Sequence, residues 1–285
     1  MTSLVDPVVR CLGYLSRRSP KGKVKFAKTV RAVLGHHRVE YVDQWGYRRV
    51  ADLHDEYDAL GFAGDPRLPR HIAALIEPGD WVVDVGANVG LMAAPLCRLV
   101  GPGGLVWAVE PLPRNFERLE FLKDRNRIDQ LRLFQGGLGA ADGRAHLGLP
   151  PEGDSGLGSL VAGVGTAGAI EVQTWALDSL LAQNPSDRPL RFLKLDVEGF
   201  EPEVLKGAAR TLREHRPRVY CEINDPLLRR AGSSAAGLMR AFADLGYAPA
   251  GPAPDLDGPV FDCLLLPGEG VSPAGISSAP AGSAS

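Results

Sequence analysis

Short β-branched runs alternate with longer stretches of helical spacing through the middle of the chain. Residues 81–85, 105–109, 131–134, 192–196, 219–223 and 261–266 are dominated by apolar side chains and predict strands. Helices are predicted to begin near Leu91, Pro113, Glu201 and Ser234. The third carries a stripe of Val204, Ala208 and Leu212, with Leu205 and Ala209 beside it. Strands separated by helices imply right-handed crossovers and a mostly parallel sheet covered on both faces, so the predicted fold class is α/β, doubly wound. A glycine-rich region, 136–168, interrupts the alternation before 170–174 resumes an extended pattern, and reads as an inserted loop or hairpin. There is no internal repeat.

The two ends differ from this middle. Residues 1–49 hold 11 Lys or Arg against three acids, and Phe26, Ala27, Val30, Val33 and Leu34 recur at helical spacing among them. An amphipathic helix over 23–34 is expected, either as a solvated helix packed on the main domain or in a membrane-surface, partner or substrate-covering role. The segment is expected to cover the acceptor pocket or pair subunits in a homo-oligomer, and not to bind cofactor. In residues 267–285, 16 of 19 are Gly, Pro, Ser or Ala, too few apolar groups to offset chain entropy, and a disordered tail is expected.

Composition narrows the function. The 285 residues carry a net charge of -2, which argues against a surface built to hold nucleic acid. Hydrophobic residues at 45% and charged residues at 23% exclude wholesale disorder, collagen and coiled coil. No apolar run approaches the roughly 20 residues of a membrane span. Cys11, Cys97, Cys221 and Cys263 form no C-x-x-C pair and suggest buried thiols in a reducing compartment. Residues 4–15 are broken by Asp6, Pro7 and Arg10 and lack the order of a secretory signal, so a cytoplasmic location is expected.

The chemistry concentrates in three blocks. Asp84-Val-Gly-Ala-Asn-Val-Gly90 follows the first strand and precedes a helix, where an open parallel sheet binds ligands. Gly86 and Gly90 permit a tight turn, and Asn88 can satisfy free N–H groups at the helix start. A nicotinamide-dependent oxidoreductase would need glycine at 86, 88 and 91, and the chain has Gly86, Asn88 and Leu91. Glu110, after the second strand, is placed to accept hydrogen bonds from ribose hydroxyls. A ligand with ribose and no pyrophosphate fits better. The second rival, a non-catalytic nucleoside-binding protein, is disfavoured by the intact Asp84, Glu110 and Asp196.

The strings V-V-D-V-G-A-N-V-G at 82–90, V-E-P-L-P-R-N-F at 109–116, and L-K-L-D-V-E-G-F-E at 193–201 with V-L-K-G-A at 204–208 resemble the FkbM-type methyltransferases. These are a branch of the class I S-adenosylmethionine-dependent enzymes. The resemblance covers roughly 79–224 and extends toward 266, dividing the chain into a basic N-terminal helical or capping segment (1–78), a methyltransferase domain (79–266) and a tail (267–285). It implies a Rossmann-like sheet of seven strands with the last antiparallel, S-adenosyl-L-methionine as cofactor, and a small-molecule acceptor methylated on a hydroxyl. It also implies that Asp84, Gly86, Ala87, Asn88 and Gly90 surround the methionine moiety and ribose. Glu110 with Pro111 would then hold the ribose, the Gly137-Leu138 backbone would lie near adenine, and Asp196 would sit beside the sulfonium. Many class I enzymes carry an acid after the third strand, where this chain has Gly136-Gly137-Leu138, and Asp142 is the nearest carboxylate.

Lys194, Asp196, Glu198 and Glu201 fall within eight residues, with Lys194 and Asp196 on one side of their strand by alternation. Glu201 and Glu203 suit the start of a helix. A hydroxyl acceptor must lose a proton, and a carboxylate within reach supplies base catalysis. Asp196, Glu198 and Glu222 are the candidates, Glu198 first, because it lies in a strand-to-helix loop. A metal site is the competing use of such acids, and it is set aside because no D-D pair or H-x-H spacing accompanies them. His54 and His71 flank a segment that could cap the pocket and are minor candidates for acceptor contacts.

Overall fold

A computed structural model of the chain describes residues 38–62, 68–151, 156, 158–164, 168–251, 254, 256 and 258–268. The helix expected over 23–34, Cys11, and the tail beyond Gly268 lie outside the described residues.

The central sheet is laid down by β3 (Trp81–Val85), β4 (Leu105–Glu110), β5 (Leu131–Gln135), β9 (Leu190–Leu195), β10 (Arg218–Asn224), β11 (Tyr247–Pro249) and β12 (Val260–Pro267). Their order across the sheet is β11-β12-β10-β9-β3-β4-β5. The pairs β4–β5, β3–β4, β3–β9 and β9–β10 are parallel, and β12 runs antiparallel to both its neighbours. This is the expected seven-stranded α/β sheet with its last strand reversed. The strand order reverses direction at β3, and a crevice opens there at the carboxyl ends of the strands.

Every residue of β3 and β4 is buried, as a parallel sheet covered on both faces requires. One face gathers Trp81, Val83, Val85, Leu193 and Leu195 against helices α6 (Glu201–Gly207) and α9 (Ala235–Asp244). The other gathers Val82, Phe192 and Tyr220 against α3 (Ala93–Val100) and α4 (Pro113–Asn126). Asp84 and Lys194 fall by alternation on this second face. The predicted helix from Glu201 is broken in two, α6 and α7 (Ala209–His215), joined at Ala208. The break sits where the chain is pressed closest. A Cβ on Gly207 would come within 2.0 Å of Gly139 O. The stripe Val204, Ala208 and Leu212 is still fully buried.

The glycine-rich insertion is a small sheet, not a loop: β6 (Gly137–Leu138) pairs in parallel, and β7 (Gly143–Gly148) antiparallel, with β8 (Ala169–Trp175). Helix α5 (Leu177–Gln183) follows it. Asp142 accepts from Ala176 N and Gln183 Nε2, so it anchors α5.

Before β3 the chain forms a hairpin of β1 (Arg38–Val42) and β2 (Arg48–Asp52), then α1 (Glu56–Phe62) and α2 (Arg70–Ala73). Strands this early were not expected. The tail's first residue is also displaced: Pro267 pairs with Tyr247 in the sheet. Helix α8 (Asp225–Arg230) is capped by Asn224, whose side chain accepts from Leu227 N.

Candidate active site

One cleft, of about 1180 Å³ counted to its open mouth, runs along the carboxyl ends of the parallel strands. It is lined from three sides: the turn Gly86–Asn88 with Glu110 and Pro111, the backbone of Gly136–Leu138, and the group Lys194, Asp196, Glu198, Tyr220, Glu222 and Asp262. Tyr57 from α1 and Leu147 and Leu160 from the inserted sheet close it over.

The turn is held from several directions. Gly86 has φ 73° and its Cβ position lies 1.8 Å from Asp196 O, so only glycine lets β3 end this close to β9. Asn88 takes φ 50°, and its backbone N–H donates to Glu110 Oε2 at 2.8 Å. Glu110 Oε1 accepts from Leu112 N at 2.9 Å and Asn115 Nδ2 at 3.4 Å. Burial pushes its carboxyl up to about 7, against the pull of those bonds. Glu110 is thus a brace for the turn as well as a cleft wall. Each carboxylate oxygen has two acceptor sites; both on Oε1 are taken, and one on Oε2 is left for a ribose hydroxyl.

Asp84 and Gly90, expected beside the ligand, are not among the residues that line the cleft. Asp84 is wholly buried, opposite Lys194 in the β3–β9 register, with Lys194 Nζ 3.6 Å from its Oδ1. It reaches the cleft only through that lysine. Gly90 packs toward Leu119 and Leu122, and its carbonyl accepts from Arg49 Nη1 at 2.9 Å. Arg49 also donates to Val89 O and lies 3.8 Å from Asp43. Arg49, at the end of the basic segment, thus braces the turn, and Tyr57, further along the 1–78 segment, lines the cleft.

Lys194 Nζ also meets Gly86 O at 2.8 Å and Asp196 Oδ2 at 3.0 Å. Burial works against its charge, but Asp196 and Asp84 outweigh it and hold the ammonium well above its ordinary range. Lys194 is a fixed cation joining the turn to the acids, not a base.

Asp196, Glu198 and Glu222 each bring a carboxylate oxygen within 4.8 Å of the others. That spacing could take a metal ion, although the sequence showed no ligand motif; separate strands, β9 and β10, bring the acids together. Burial, then the charges of Asp196 and Glu222, push Glu198 up to about 9. Burial and Asp196 push Glu222 up to about 7. Glu198 has φ 53°, and its carbonyl accepts from Ser159 Oγ at 2.8 Å. The upward shift of its carboxyl counts against Glu198 as first-choice base and favours Glu222. Glu201 lies outside the cleft, accepting from Val197 N and Gly199 N to tie the loop to α6. His54 and His71 line no part of the cleft.

Tyr57, Tyr220 and Asp262 were missed. Tyr220 and Asp262 stand on strands whose pairing sets them beside Glu222, and alternation from Glu222 would have pointed to Tyr220. No local signal marks Tyr57. Cys97, Cys221 and Cys263 are buried free thiols, as expected.

A seven-stranded sheet with a reversed last strand, and a cleft uniting a glycine turn, an acid after the second strand and acids at the fourth and fifth, define the class I methyltransferase architecture. The methyltransferase FkbM domain model matches residues 84–249, and the chain belongs to the FkbM methyltransferase family. A hexuronic acid methyltransferase, AglP of Haloferax volcanii, is 27% identical over 214 residues, covering 74% of this chain and 80% of that protein. Among solved structures, an FkbM methyltransferase from Methylobacillus flagellatus KT is 19% identical with a TM-score of 0.45, over 74% of this chain. The chain spans 54% of that protein's length. Fibrillarin from Aeropyrum pernix, solved with S-adenosyl-L-methionine, is 14% identical with a TM-score of 0.42, over 67% of this chain and 68% of its own. No helix among the described residues is long and apolar enough to cross a membrane.

Proposed function

We propose that the protein transfers a methyl group from S-adenosyl-L-methionine to a hydroxyl oxygen of a sugar or other small natural product. The observation that carries this reading is the union, in one cleft, of the Gly86–Asn88 turn with Glu110 and of the acids Asp196, Glu198 and Glu222. The donor set suits the cofactor: Glu110 offers a remaining acceptor site to ribose, Gly137 and Leu138 offer backbone and an apolar surface to adenine, and Asp196 offers negative charge to a sulfonium. When bound, the cofactor supplies an electrophilic methyl carbon.

The chain's own work is positioning and proton transfer. The acceptor oxygen bonds to the methyl carbon as the carbon–sulfur bond breaks, its electron pair staying on sulfur, and the hydroxyl proton passes to a carboxylate. Glu222, at about 7, is matched to that task near neutral pH. Lys194 keeps Asp196 in place by charge, and the walls hold the reactants in line, which supplies much of the rate. Relatedness to a hexuronic acid methyltransferase supports a sugar-like acceptor. The experiment is incubation of the full chain with S-adenosyl-L-methionine and a panel of sugars and hydroxylated natural products, read by mass spectrometry. A product heavier by one methylene, with S-adenosylhomocysteine formed in equal amount, is expected; cofactor consumption yielding an N-methyl product would contradict oxygen as the nucleophile.

A further inference from the structure

The acceptor end of the cleft holds more negative charge than its own cations balance. Glu222 on β10 and Asp262 on β12 are direct partners in the antiparallel register, and both line the cleft. Like charges set directly opposite one another weaken a sheet. Tyr220, two residues before Glu222, has its hydroxyl pushed up by burial and then by the nearby Asp262 carboxylate, and it too lines the cleft. Asp196 and Glu198 add their carboxylates within 4.8 Å of Glu222. Lys194 is the only basic side chain among the described residues that line the cleft. Its three nearest partners, Gly86 O, Asp196 and Asp84, already occupy it.

We propose that the acceptor carries a protonated amine beside the hydroxyl that is methylated, as an amino sugar does, with Asp262 and Glu198 receiving the amine, and that carboxylate-bearing sugars are rejected. This rests on the methyltransferase reading of the cleft and names the acceptor class for it. An ammonium meets three or four carboxylates with hydrogen-bond donors, which is charge-assisted bonding at its most favourable. A uronic acid would add one more carboxylate to the group, and like-charge contact at a partly desolvated site is strongly unfavourable.

The test uses the full chain saturated with S-adenosylhomocysteine in chelator-containing buffer, titrated calorimetrically with the methyl glycosides of glucosamine, glucose and glucuronic acid. The amine is expected to bind at least tenfold tighter than the neutral sugar, with no saturable binding of the glucuronide. Asp262→Asn is expected to cut the amine's advantage severalfold and leave S-adenosylhomocysteine affinity unchanged; should that variant not fold, Glu198→Gln, which alters the other amine contact, gives the same reading. Equal or tighter binding of the glucuronide, no binding of the amine, or an advantage untouched by the variants overturns the proposal. So does amine binding displaced competitively by stoichiometric magnesium ion in a repeat titration without chelator, which would assign the carboxylates to a divalent cation. Failure of S-adenosylhomocysteine to bind at all, read before any sugar is added, would instead remove the methyltransferase reading itself.

Discussion

Arg49 Nη1 donates to the carbonyl of Gly90 at 2.9 Å, tying the N-terminal hairpin to the turn that follows β3 and walls the cleft. The guanidinium is 5% exposed and serves Val89 O as well, so its loss leaves two buried carbonyls without their donor. Arg49→Ala is expected to weaken S-adenosyl-L-methionine binding about tenfold, corresponding to roughly 1.4 kcal/mol, with kcat at saturating cofactor little changed. Arg49→Lys should recover part of the affinity. Deleting residues 1–49 should therefore cost cofactor affinity too. Unchanged affinity in a folded Arg49→Ala protein would show that the hairpin does not brace the turn.

The two candidate bases separate by substitution. Glutamine mimics a protonated carboxyl, so Glu198→Gln is expected to keep kcat at pH 7 within about tenfold of the parent, whereas Glu222→Gln should lower it ~10² to 10⁴-fold. Single-turnover rates at saturating cofactor and acceptor decide between them. The reverse pattern would return the base to Glu198.

Stability should fall as pH rises. Burial, as the largest cause, raises Asp58 to about 6, Glu110, Glu201 and Glu222 to about 7, and Glu198 to about 9. In the unfolded chain such groups lose their protons near pH 4. Between about pH 5 and 9 the folded state binds more protons than the unfolded one, and the slope of unfolding free energy against pH is negative. The empty protein is expected to show a lower Tm at pH 8.5 than at pH 6. Glu198→Gln should flatten that slope and stabilise the protein at pH 8.5 by about 1 kcal/mol, the worth of roughly one pKa unit. A Tm that holds or climbs over this interval would contradict it.

Much of this was legible in the chain because β3 and β4 are buried on both faces and read as apolar runs, β9 and β10 are buried through most of their length, and each places its chemistry at its carboxyl end. Alternation along 192–196 put Lys194 and Asp196 on one side, as observed. Alternation could not say that Asp84 points at Lys194 and not at a ligand, since that depends on which strand lies alongside. The pairing of Glu222 with Asp262 is likewise a matter of register between segments some 40 residues apart in sequence. The hairpin 38–52 escaped notice because its strands are short and interleave Arg, Glu and Asp with the apolar positions Val39, Tyr41, Val50 and Ala51. The split at Ala208 has no trace in the helical stripe, which continues unbroken across it.

The central claim is that the cleft holds S-adenosyl-L-methionine between the Gly86–Asn88 turn and Glu110. Calorimetric titration of the full chain with S-adenosyl-L-methionine and, separately, with NADH tests it most directly. The account predicts saturable one-to-one binding of S-adenosyl-L-methionine, none of NADH, and an affinity loss of about tenfold or more in Glu110→Ala, since each charge-assisted bond lost is worth ~1.5 to 3 kcal/mol. Absence of S-adenosyl-L-methionine binding by the folded protein, or full affinity retained in Glu110→Ala, would contradict it.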